Sequence, residues 1–500
     1  MKAKRIWREY GEEGGYITPP FIFVKGLIME RKLAAPKQAE RLAEIFKKNG
    51  YDLFIVGGWV RNALLSLPHI DIDVCSEALP TDVCSFLSKE EGIESFVKCE
   101  RLGTLEIKIF NGEHVFLCEY SAFRHESYGE GGHHAPENVW FTKELDKDAF
   151  RRDFSVNALY LDIISGEIKD PTMGLPDLAG SMLRTTSQDA EWIIKDDGLR
   201  ILRMVRLACE LGFLIQPGLY RTAKRLIHLL KDISKERIKE ELVRILLADT
   251  RYPSRIPRFD LPAHARGIFM LKDLGALEYI LPELLEGQGV IQRQDFHAYD
   301  VLTHSILACA LSPPRLALRI AALLHDVGKP QALKKSGNMY GHDIISTEIA
   351  RKALGHDGLR FDNKTLSEVC ELIQLHMFDL DNRAKDSTVR KKFAKVGERM
   401  ARNLILLREA DVAGSGKTST MPPEIKKWEA ILSDMRQRKT PVHETELALS
   451  GKDIMKLIGE GPSPKIGKIK KAMFEYVVLN PEKNTKAALE GFVGRYVKRS

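Results

Sequence analysis

The chain has 500 residues, 44% of them hydrophobic and 29% charged, and this length and composition predict a folded protein of several domains. Its net charge of +7 suits a polyanionic partner such as nucleic acid. Because no run approaches the roughly eighteen apolar residues of a membrane span, and the seven cysteines contain no C-x-x-C pair, we expect a cytoplasmic protein with reduced thiols and no membrane association.

The first 180 residues divide into an extension and a region of mixed helices and strands. Residues 1–35 contain lysine and arginine but lack the apolar core of a secretory signal, so we expect an extension ahead of the first domain. A helix is predicted at 38–48 and another at 81–89. The predicted strands are 53–56, 71–75, 104–110 and 114–120. This alternation predicts a small α/β or α+β sheet domain.

A strand, a glycine turn and two carboxylates form the most informative motif of this region. The apolar strand 53–56 is followed by Gly57-Gly58 at the start of a helix, and then by Asp71-Ile72-Asp73. Glycines at such a turn let the backbone approach a phosphate, and strand residues two apart point to the same side. Each half alone more often marks an ordinary turn or a solvated strand face. Together they indicate a nucleoside triphosphate held beside magnesium.

An arginine pair follows the sheet region in the string Arg151-Arg152-Asp153. Two adjacent guanidinium groups suit a triphosphate, because planar and permanently charged donors pair well with phosphate oxygens. A surface arginine pair with a local aspartate is the more common meaning of such a string.

Beyond residue 171 helical periodicity dominates, and a helix is predicted over 192–212. Asp197, Arg200, Arg203 and Arg206 step around one side of this predicted helix. The pattern has two interpretations. It is either an exposed face with ion pairs between neighbouring turns, or a surface that reads the Watson–Crick edge of a base with an acceptor acid and a donor arginine.

A second set of polar residues lies on later helical segments. His304, His325, Asp326 and Asp411 follow one another in the order H…HD…D, and His342 and His376 lie between them. Imidazoles and carboxylates suit a divalent metal that activates water for phosphoester hydrolysis. A single histidine on a helix is more often an ordinary core or surface residue.

The C-terminal segment is distinct, since a charged, proline-marked stretch at about 420–445 precedes it. A glycine-proline turn opens a lysine-rich helix with Lys468, Lys470 and Lys471. These lysines suit contact with an RNA backbone, although a solvated lysine face is an equally good interpretation.

The head motifs resemble those of the class II nucleotidyltransferases of the polymerase-β superfamily, which build tRNA 3′ ends or poly(A) tails. The resemblance implies that Asp71 and Asp73 are catalytic and bind Mg²⁺. Further residues are implied to bind the nucleotide: Gly57, Gly58, Arg61, Arg152, Asp197, Arg200, Arg203 and Arg206. Two residues depart from the family pattern. Asn62 stands where the family usually has Asp, and Asp196 stands where many relatives have Glu.

The later histidines resemble the pattern of HD-superfamily phosphohydrolases. That resemblance implies His304, His325, Asp326 and Asp411 as ligands of a second divalent metal, Ni²⁺ or Mn²⁺, with His342 and His376 as optional extra histidines. Hydrolase activity is a hypothesis, because HD folds also persist as scaffolds.

These resemblances imply an α+β fold in which a small polymerase-β-like head with a mixed sheet precedes all-α neck, HD and tail domains. The predicted domains are the extension 1–35, the head 36–180, the neck 181–285, the HD domain 286–420 and a tRNA-binding tail 421–500. The implied function is CCA addition to tRNA from CTP and ATP without a nucleic-acid template. The alternatives are a poly(A) polymerase, a partial CC- or A-adding enzyme, and an HD phosphohydrolase acting on RNA ends.

Overall fold

The computed structural model describes residues 32–69, 71–129, 136–253, 261–417 and 422–498. Most of the extension predicted for residues 1–35 therefore lies outside the described residues. The described chain forms two compact units, up to Pro282 and from Glu283 onward. This division falls close to the predicted start of the HD domain, and the finer division into five domains stays a prediction.

A seven-stranded mixed sheet organises the first unit. Its strand order is β3-β4-β5-β2-β1-β8-β9, with β2 parallel to β5 and the other neighbours antiparallel. The strands are β1 Phe54–Val56, β2 Asp73–Ser76, β3 Ile93–Cys99, β4 Thr104–Asn111, β5 His114–Ala122, β8 Tyr160–Asp162 and β9 Ile168–Lys169. Two further pairs are β6 Arg124–Ser127 with β7 Asn138–Phe141, and β10 Met182–Leu183 with β11 Leu214–Ile215. The predicted fold class, a mixed sheet followed by helices, is confirmed.

Alternating burial explains why some strands are visible in the sequence and others are not. In β4, Leu105, Ile107 and Ile109 are buried while their neighbours are not, which is the period-2 pattern of a half-buried strand. Strand β3 was not predicted, because it is an edge strand whose exposed residues hide the alternation of buried and exposed positions. The very short strands β8 and β9 were not predicted either.

The first unit contains twelve helices among the described residues. They are α1 Lys37–Lys48, α2 Gly58–Leu64, α3 Pro80–Leu87, α4 Leu145–Phe150, α5 Gly174–Ala179, α6 Ala190–Asp196, α7 Arg200–Leu211, α8 Pro217–Arg225, α9 Lys235–Leu246, α10 Ala248–Arg251, α11 Ala263–Leu274 and α12 Leu277–Ile280.

The single helix predicted over 192–212 is wrong. Helix α6 ends at Asp196, and Asp197 adopts an extended conformation with φ −154° and ψ 105° before α7 begins at Arg200. The break packs tightly, because a Cβ on Gly198 would lie 3.0 Å from the backbone oxygen of Leu229. Asp197 therefore does not share a helix with Arg200, and the two meet through the turn between helices.

The second unit is helical throughout its described residues. Its helices are α13 Val301–Leu311, α14 Leu316–Leu324, α15 Lys329–Ser336, α16 His342–Leu354, α17 Asn363–Leu375, α18 Asp386–Val396, α19 Glu398–Gly414, α20 Pro423–Gln437, α21 Gly451–Ile458, α22 Pro464–Leu479 and α23 Lys486–Val497. Helix α13 packs against α14 and α19, and α14 also packs against α17. No helix in the described ranges is long and apolar enough to cross a membrane.

Trp428 on α20 anchors the packing of this second unit. Its side chain is fully buried, it stacks on Phe378, and its ring also meets the edge of Phe393. The indole nitrogen donates to Oδ2 of Asp379 at 3.2 Å.

Replacing this side chain should destabilise the second unit. We expect Trp428→Ala to lower its free energy of unfolding by about 3–5 kcal/mol, because the substitution leaves a large cavity. Trp192 is 44% exposed and offers a matched control, for which Trp192→Ala should change stability by less than about 1 kcal/mol. Differential scanning calorimetry measures both, and equal shifts for the two variants would contradict the packing role.

Candidate functional site

One cavity of about 690 Å³ in the first unit, called the head cavity below, brings together every residue predicted to act in nucleotide transfer. Its wall includes all ten of them: Gly57, Gly58, Arg61, Asp71, Asp73, Arg152, Asp197, Arg200, Arg203 and Arg206. They come from the turn after β1 and helix α2, from the start of β2, from the loop after α4 and from the region around the α6–α7 break. Residues nearly 150 positions apart in the chain therefore face one space.

The glycine turn holds the start of α2 against the carboxylates. Gly57 has φ +81°, a conformation that side chains other than glycine rarely adopt. A Cβ at this position would lie 3.5 Å from Oδ2 of Asp73. The turn thus brings the start of α2 close to the Asp73 carboxylate.

Asp71 and Asp73 both reach solvent within the head cavity. The surrounding protein desolvates Asp73 and raises the pKa of its carboxyl, an effect that Arg152 opposes and Asp71 reinforces. Glu119 lies opposite Asp73 on β5 and pairs with Lys98 at 2.8 Å. Carboxylate oxygens are the ligands that Mg²⁺ prefers, and a divalent cation would favour the ionised pair, so these residues fit magnesium.

Arg61 is buried and is held by two amides. It donates from Nη1 to Oδ1 of Asn157 at 2.5 Å, and from Nε and Nη2 to Oδ1 of Asn62 at 3.1 and 2.9 Å. Asn62 in turn donates to the Pro68 carbonyl at 3.0 Å and to the Tyr252 hydroxyl at 2.8 Å. An aspartate could not donate to that carbonyl. The departure from the family pattern at this position is therefore matched by its local hydrogen bonds.

Asp148 orients the arginine pair, and the sequence analysis missed it. It is fully buried and lies 2.7 Å from Nη2 of Arg151 and 2.9 Å from Nη2 of Arg152, while Tyr160 donates to it at 2.7 Å. Burial alone would raise the pKa of Asp148, but Arg151 and Arg152 hold it below its usual range. Asp148 lies on α4, and its spacing of three and four residues from the arginines that follow this helix was a signal that could have identified it.

Asp197 is paired with an arginine to which the sequence analysis assigned no site role. Arg237 donates from Nη2 to Oδ2 of Asp197 at 2.7 Å and from Nη1 to Oδ1 at 3.3 Å. The backbone N–H of Leu199 also donates to Asp197, at 3.0 Å. Arg237 lies near the start of α9, so this pair ties the α6–α7 break to α9.

The guanidinium group of Arg200 is bound to backbone carbonyls. It donates to the carbonyls of Ile193 at 2.7 Å and Arg151 at 2.8 Å, and its Nη1 lies 3.6 Å from Asp196. Burial raises the pKa of Asp196 to about 6, against the opposing effect of Arg200. Both side chains already have partners within the protein, and their role in base selection stays a prediction.

Arg203 and Arg206 also have partners within the protein. Arg203 donates from Nε and Nη2 to Oδ2 of Asp153 at 2.8 and 2.6 Å. Arg206 forms an ion pair with Glu241 at 2.9 Å. These pairs connect α7 to the loop after α4 and to α9, and a direct nucleotide contact by either arginine stays a prediction.

The histidines and aspartates of the second unit form one buried cluster. Nε2 of His304 lies 3.3 Å from Oδ2 of Asp326 and 3.1 Å from Oδ1 of Asp411, and His325 lies 3.3 Å from the same Asp326 oxygen. The other oxygen of Asp326 lies 3.1 Å from Nε2 of His342. The residues form two overlapping groups that share Asp326: His304, His325, Asp326, and Asp326, His342, His376.

The tautomers of this histidine cluster suit metal binding. Nδ1 of His325, His342 and His376 lies 2.8, 2.7 and 2.6 Å from the backbone carbonyls of Ala322, Met339 and Ile373. A carbonyl can only accept, so each Nδ1 carries the hydrogen and the lone pair of a neutral ring is on Nε2, which faces the carboxylates. The donor set therefore fits a divalent cation.

Charges around the histidine cluster show that it attracts positive charge. Although burial opposes it, the two carboxylates raise the pKa of His304 to about 9. Lys329 also donates to Asp326 at 2.5 Å and to Gln292 at 2.6 Å. Lys329 and His297, whose ring lies 4.7 Å from that of His304, are neighbours that the sequence analysis missed.

Comparisons with protein families agree with both sites. Residues 53–184 match the poly(A) polymerase head domain, residues 212–254 match the probable RNA and SrmB-binding site of polymerase A, and residues 296–413 match the HD domain. The matched ranges contain the glycine turn, the carboxylate pair and all six residues of the histidine cluster.

Several curated proteins are similar in sequence. The A-adding tRNA nucleotidyltransferase of Deinococcus radiodurans is 30% identical over 376 residues, covering 71% of this chain and 80% of that protein. The CCA-adding enzyme of Streptococcus agalactiae is 25% identical over 457 residues, covering 90% and 94%. That of Ligilactobacillus salivarius is 33% identical over 213 residues, covering 42% of this chain and 49% of that protein.

Solved structures share the fold. The CCA-adding enzyme of Bacillus stearothermophilus in complex with CTP superposes with a TM-score of 0.64 at 22% identity, covering 93% of this chain and 98% of that one. The Thermotoga maritima CCA-adding enzyme complexed with tRNA has a TM-score of 0.55 at 15% identity, covering 94% and 98%. With the family matches and the relative at 30% identity, these findings establish that the chain belongs to the tRNA nucleotidyltransferase family, as its motifs predicted.

Proposed function

We propose that this protein is a CCA-adding tRNA nucleotidyltransferase, which extends the tRNA 3′ end with C, C and A from CTP and ATP. The observation that supports it best is the head cavity, in which the carboxylate pair and the acid–arginine residues of the α6–α7 break line one space. The relative from Streptococcus agalactiae, named as a CCA-adding enzyme, aligns with 90% of the chain. The seven free thiols suit a cytoplasmic enzyme.

The residues of the head cavity divide the work of nucleotidyl transfer. Arg152, oriented by Asp148, and the backbone at Gly58 bind the triphosphate, and Arg61 adds positive charge behind them. Asp71 and Asp73 would hold Mg²⁺, which would supply charge stabilisation for the attacking 3′-hydroxyl and the departing diphosphate. A bond forms between that hydroxyl oxygen and the α-phosphorus, the hydroxyl proton is released to solvent, and the bond from this phosphorus to diphosphate breaks.

Base selection is assigned to Asp197 and Arg200. Cytosine and adenine both present an amino group beside a ring-nitrogen acceptor, so one acceptor carboxylate and one donor guanidinium can serve both bases. Guanine and uracil carry a carbonyl in place of that amino group and would meet the carboxylate with an acceptor. Arg237 positions Asp197 in the absence of a base.

The C-terminal segment 421–500 is proposed to bind tRNA. Its helices α21 to α23 share a core that includes Ile454, Met473 and Leu489. Lys468 and Lys471 on α22 are exposed beside this core, as a surface for RNA phosphates requires.

A transfer assay tests the proposed activity. With tRNA transcripts ending before the CCA sequence, after the first C or after the second C, we expect two, one and no additions from CTP respectively, each followed by a single addition from ATP. Asp71→Asn should reduce incorporation at least about a thousandfold, because the carboxylate pair is lost. Asp52→Asn is the matched control, since Asp52 is exposed and pairs with Lys47.

Other products would assign another activity within the family. Addition of A alone would assign the A-adding activity named for the Deinococcus radiodurans relative, and long runs of A on any RNA would assign a poly(A) polymerase. Either outcome would overturn CCA addition.

Acidic pH should reduce the selectivity between CTP and ATP, measured as the ratio of their kcat/KM values on one tRNA substrate. Since the pKa of Asp196 is about 6, its carboxylate is ionised at pH 7.5 and mostly protonated at pH 5.0, where Arg200 loses a charged neighbour. We expect the ratio of the two kcat/KM values to change by about two- to fivefold over this interval, equivalent to roughly 0.4–1 kcal/mol. The ratio should be independent of pH in Asp196→Asn, and an unchanged pH dependence in that variant would contradict the assignment.

A second proposed function is metal-dependent phosphoester hydrolysis at the histidine cluster, with Ni²⁺ or Mn²⁺. It is supported by the two overlapping donor groups around Asp326 and by the orientation of three imidazole Nε2 atoms toward them.

Metal content and hydrolysis together test this second function. The protein supplied with Ni²⁺ or Mn²⁺ should retain metal after gel filtration and should hydrolyse a phosphodiester, and His325→Ala should lose most of both because it removes a central donor. His356 is 91% exposed in its side chain, so His356→Ala is the control. Mass spectrometry of the metal and product chromatography give the readout, and metal content that is equal in both variants would refute the site.

A further inference from the structure

Two arginines in the wall of the head cavity differ from the others in having no acid partner. Ten of the described arginines line this wall, and eight of them are held by carboxylates, side-chain amides or backbone carbonyls. The other two, Arg244 and Arg251, are exposed. Neither forms an ion pair with any residue that the structure describes.

Both of these arginines come from the helices that follow the α6–α7 break. Arg244 lies on α9, which ends at Leu246, and Arg251 is the last residue of α10, which begins at Ala248. They are seven positions apart, about two turns of helix, so an almost continuous helical segment presents them on one side. Their common place in the cavity wall agrees with this.

Contacts of Arg251 tie it to the catalytic end of the head cavity. Its guanidinium carbon lies 5.7 Å from the centre of the Tyr252 ring. The Tyr252 hydroxyl in turn accepts a hydrogen bond of 2.8 Å from Asn62, the neighbour of Arg61 on α2. The side chain of Arg251 is therefore placed against a residue that is itself bound to the helix after the glycine turn.

The two catalytic carboxylates have different arginines as neighbours. A hydrogen bond with Tyr252 raises the pKa of Arg251, and the charges of Glu210 and Asp71 add to this effect. Arg152 is the arginine whose charge acts on Asp73. The carboxylate pair thus has Arg152 near Asp73 and Arg251 near Asp71.

Nucleotidyl transfer requires two polyanions at this carboxylate pair, a triphosphate and the strand that carries the attacking 3′-hydroxyl. Arg152, Arg61 and the backbone at Gly58 are assigned to the triphosphate. Arg244 and Arg251 are left for the strand. An exposed arginine without an acid partner can bind a phosphate without breaking an ion pair, whereas the paired arginines of the wall cannot.

We propose that Arg244 and Arg251 bind the last two phosphodiesters of the RNA acceptor strand, with Arg251 on the linkage nearer the 3′-hydroxyl. This inference rests on the proposed nucleotidyl transfer and names the residues that hold the end of its acceptor. Contacts with phosphates fix the position of a strand without reading its sequence. They would therefore place the 3′-hydroxyl beside Asp71 whichever nucleotide was added last.

Steady-state kinetics of a single addition test this assignment. The substrates are CTP and a tRNA transcript that ends after the first C, so that CTP alone gives one addition. Arg244→Gln and Arg251→Gln should each raise KM for the tRNA about tenfold, with KM for CTP and kcat changed by less than about twofold. Each variant should also make the dependence of log(kcat/KM) for tRNA on log[salt] shallower by about 0.7, as the loss of one phosphate contact requires.

Neutral linkages in the RNA identify the phosphate that each arginine contacts. In a transcript whose last phosphodiester is replaced by a methylphosphonate, Arg251→Gln should cause no further loss, while Arg244→Gln should keep its tenfold effect. A methylphosphonate at the preceding linkage should reverse this pattern. A merely structural role of either arginine would leave its effect the same on every transcript.

The control is Arg41→Gln, which removes an exposed arginine of α1 that lies outside the cavity wall and should change none of these values. The proposal is overturned if the two variants raise KM for CTP instead, because the arginines would then bind the triphosphate. Losses that multiply with those from both methylphosphonates would overturn it as well.

The products of the same reactions distinguish this proposal from CCA addition. Addition of A alone, or of long runs of A, would refute CCA addition and leave the effect of both arginines on KM for the RNA intact. Correct CCA products with an unchanged KM for tRNA in both variants would refute only the phosphodiester contacts.

Discussion

Four arginines in the wall of the head cavity each form an ion pair with a carboxylate of the protein. The four acids are Asp148, Asp153, Asp197 and Glu241. Without these acids, the crowded guanidinium groups would repel one another and would be costly to keep from water. The pairs fix each arginine in a defined direction before any ligand arrives. The cavity is thus preorganised for a polyanion, and the charge needed to bind a triphosphate is present without a large ordering cost.

The same pairs define the break between α6 and α7. Asp197 leaves the helix and is tied to Arg237 on α9, while Arg203 on α7 is tied to Asp153 in the loop after α4. The residues assigned to base selection therefore lie at a junction of three elements. A base that displaced Arg237 from Asp197 would replace an ion pair of two hydrogen bonds with a hydrogen bond from a neutral amino group, so other contacts of the nucleotide would have to offset that loss.

In the second unit, backbone carbonyls orient the histidine side chains, as the acids orient the arginine side chains in the first unit. The carbonyls that bind Nδ1 of His325, His342 and His376 belong to residues three positions earlier in the chain, at a helix end or in the turn before α16. Local backbone geometry thus sets the direction of each donor atom. The histidines are thus oriented by contacts within one turn of chain, whereas the acids that orient Arg203 and Arg237 lie 50 and 40 positions away from them in the sequence.

The sequence by itself determined the family, the mixed sheet followed by helices, and the residue types of both sites. It could do so because the glycine turn, the carboxylates two apart and the histidine spacings are local patterns. Only the tertiary structure decided that helix 192–212 is broken at Asp197, since the cause is a contact with Arg237, 40 positions away, and close packing on Leu229. It also decided that Asp148 is fully buried, because burial depends on distant segments that local spacing does not encode.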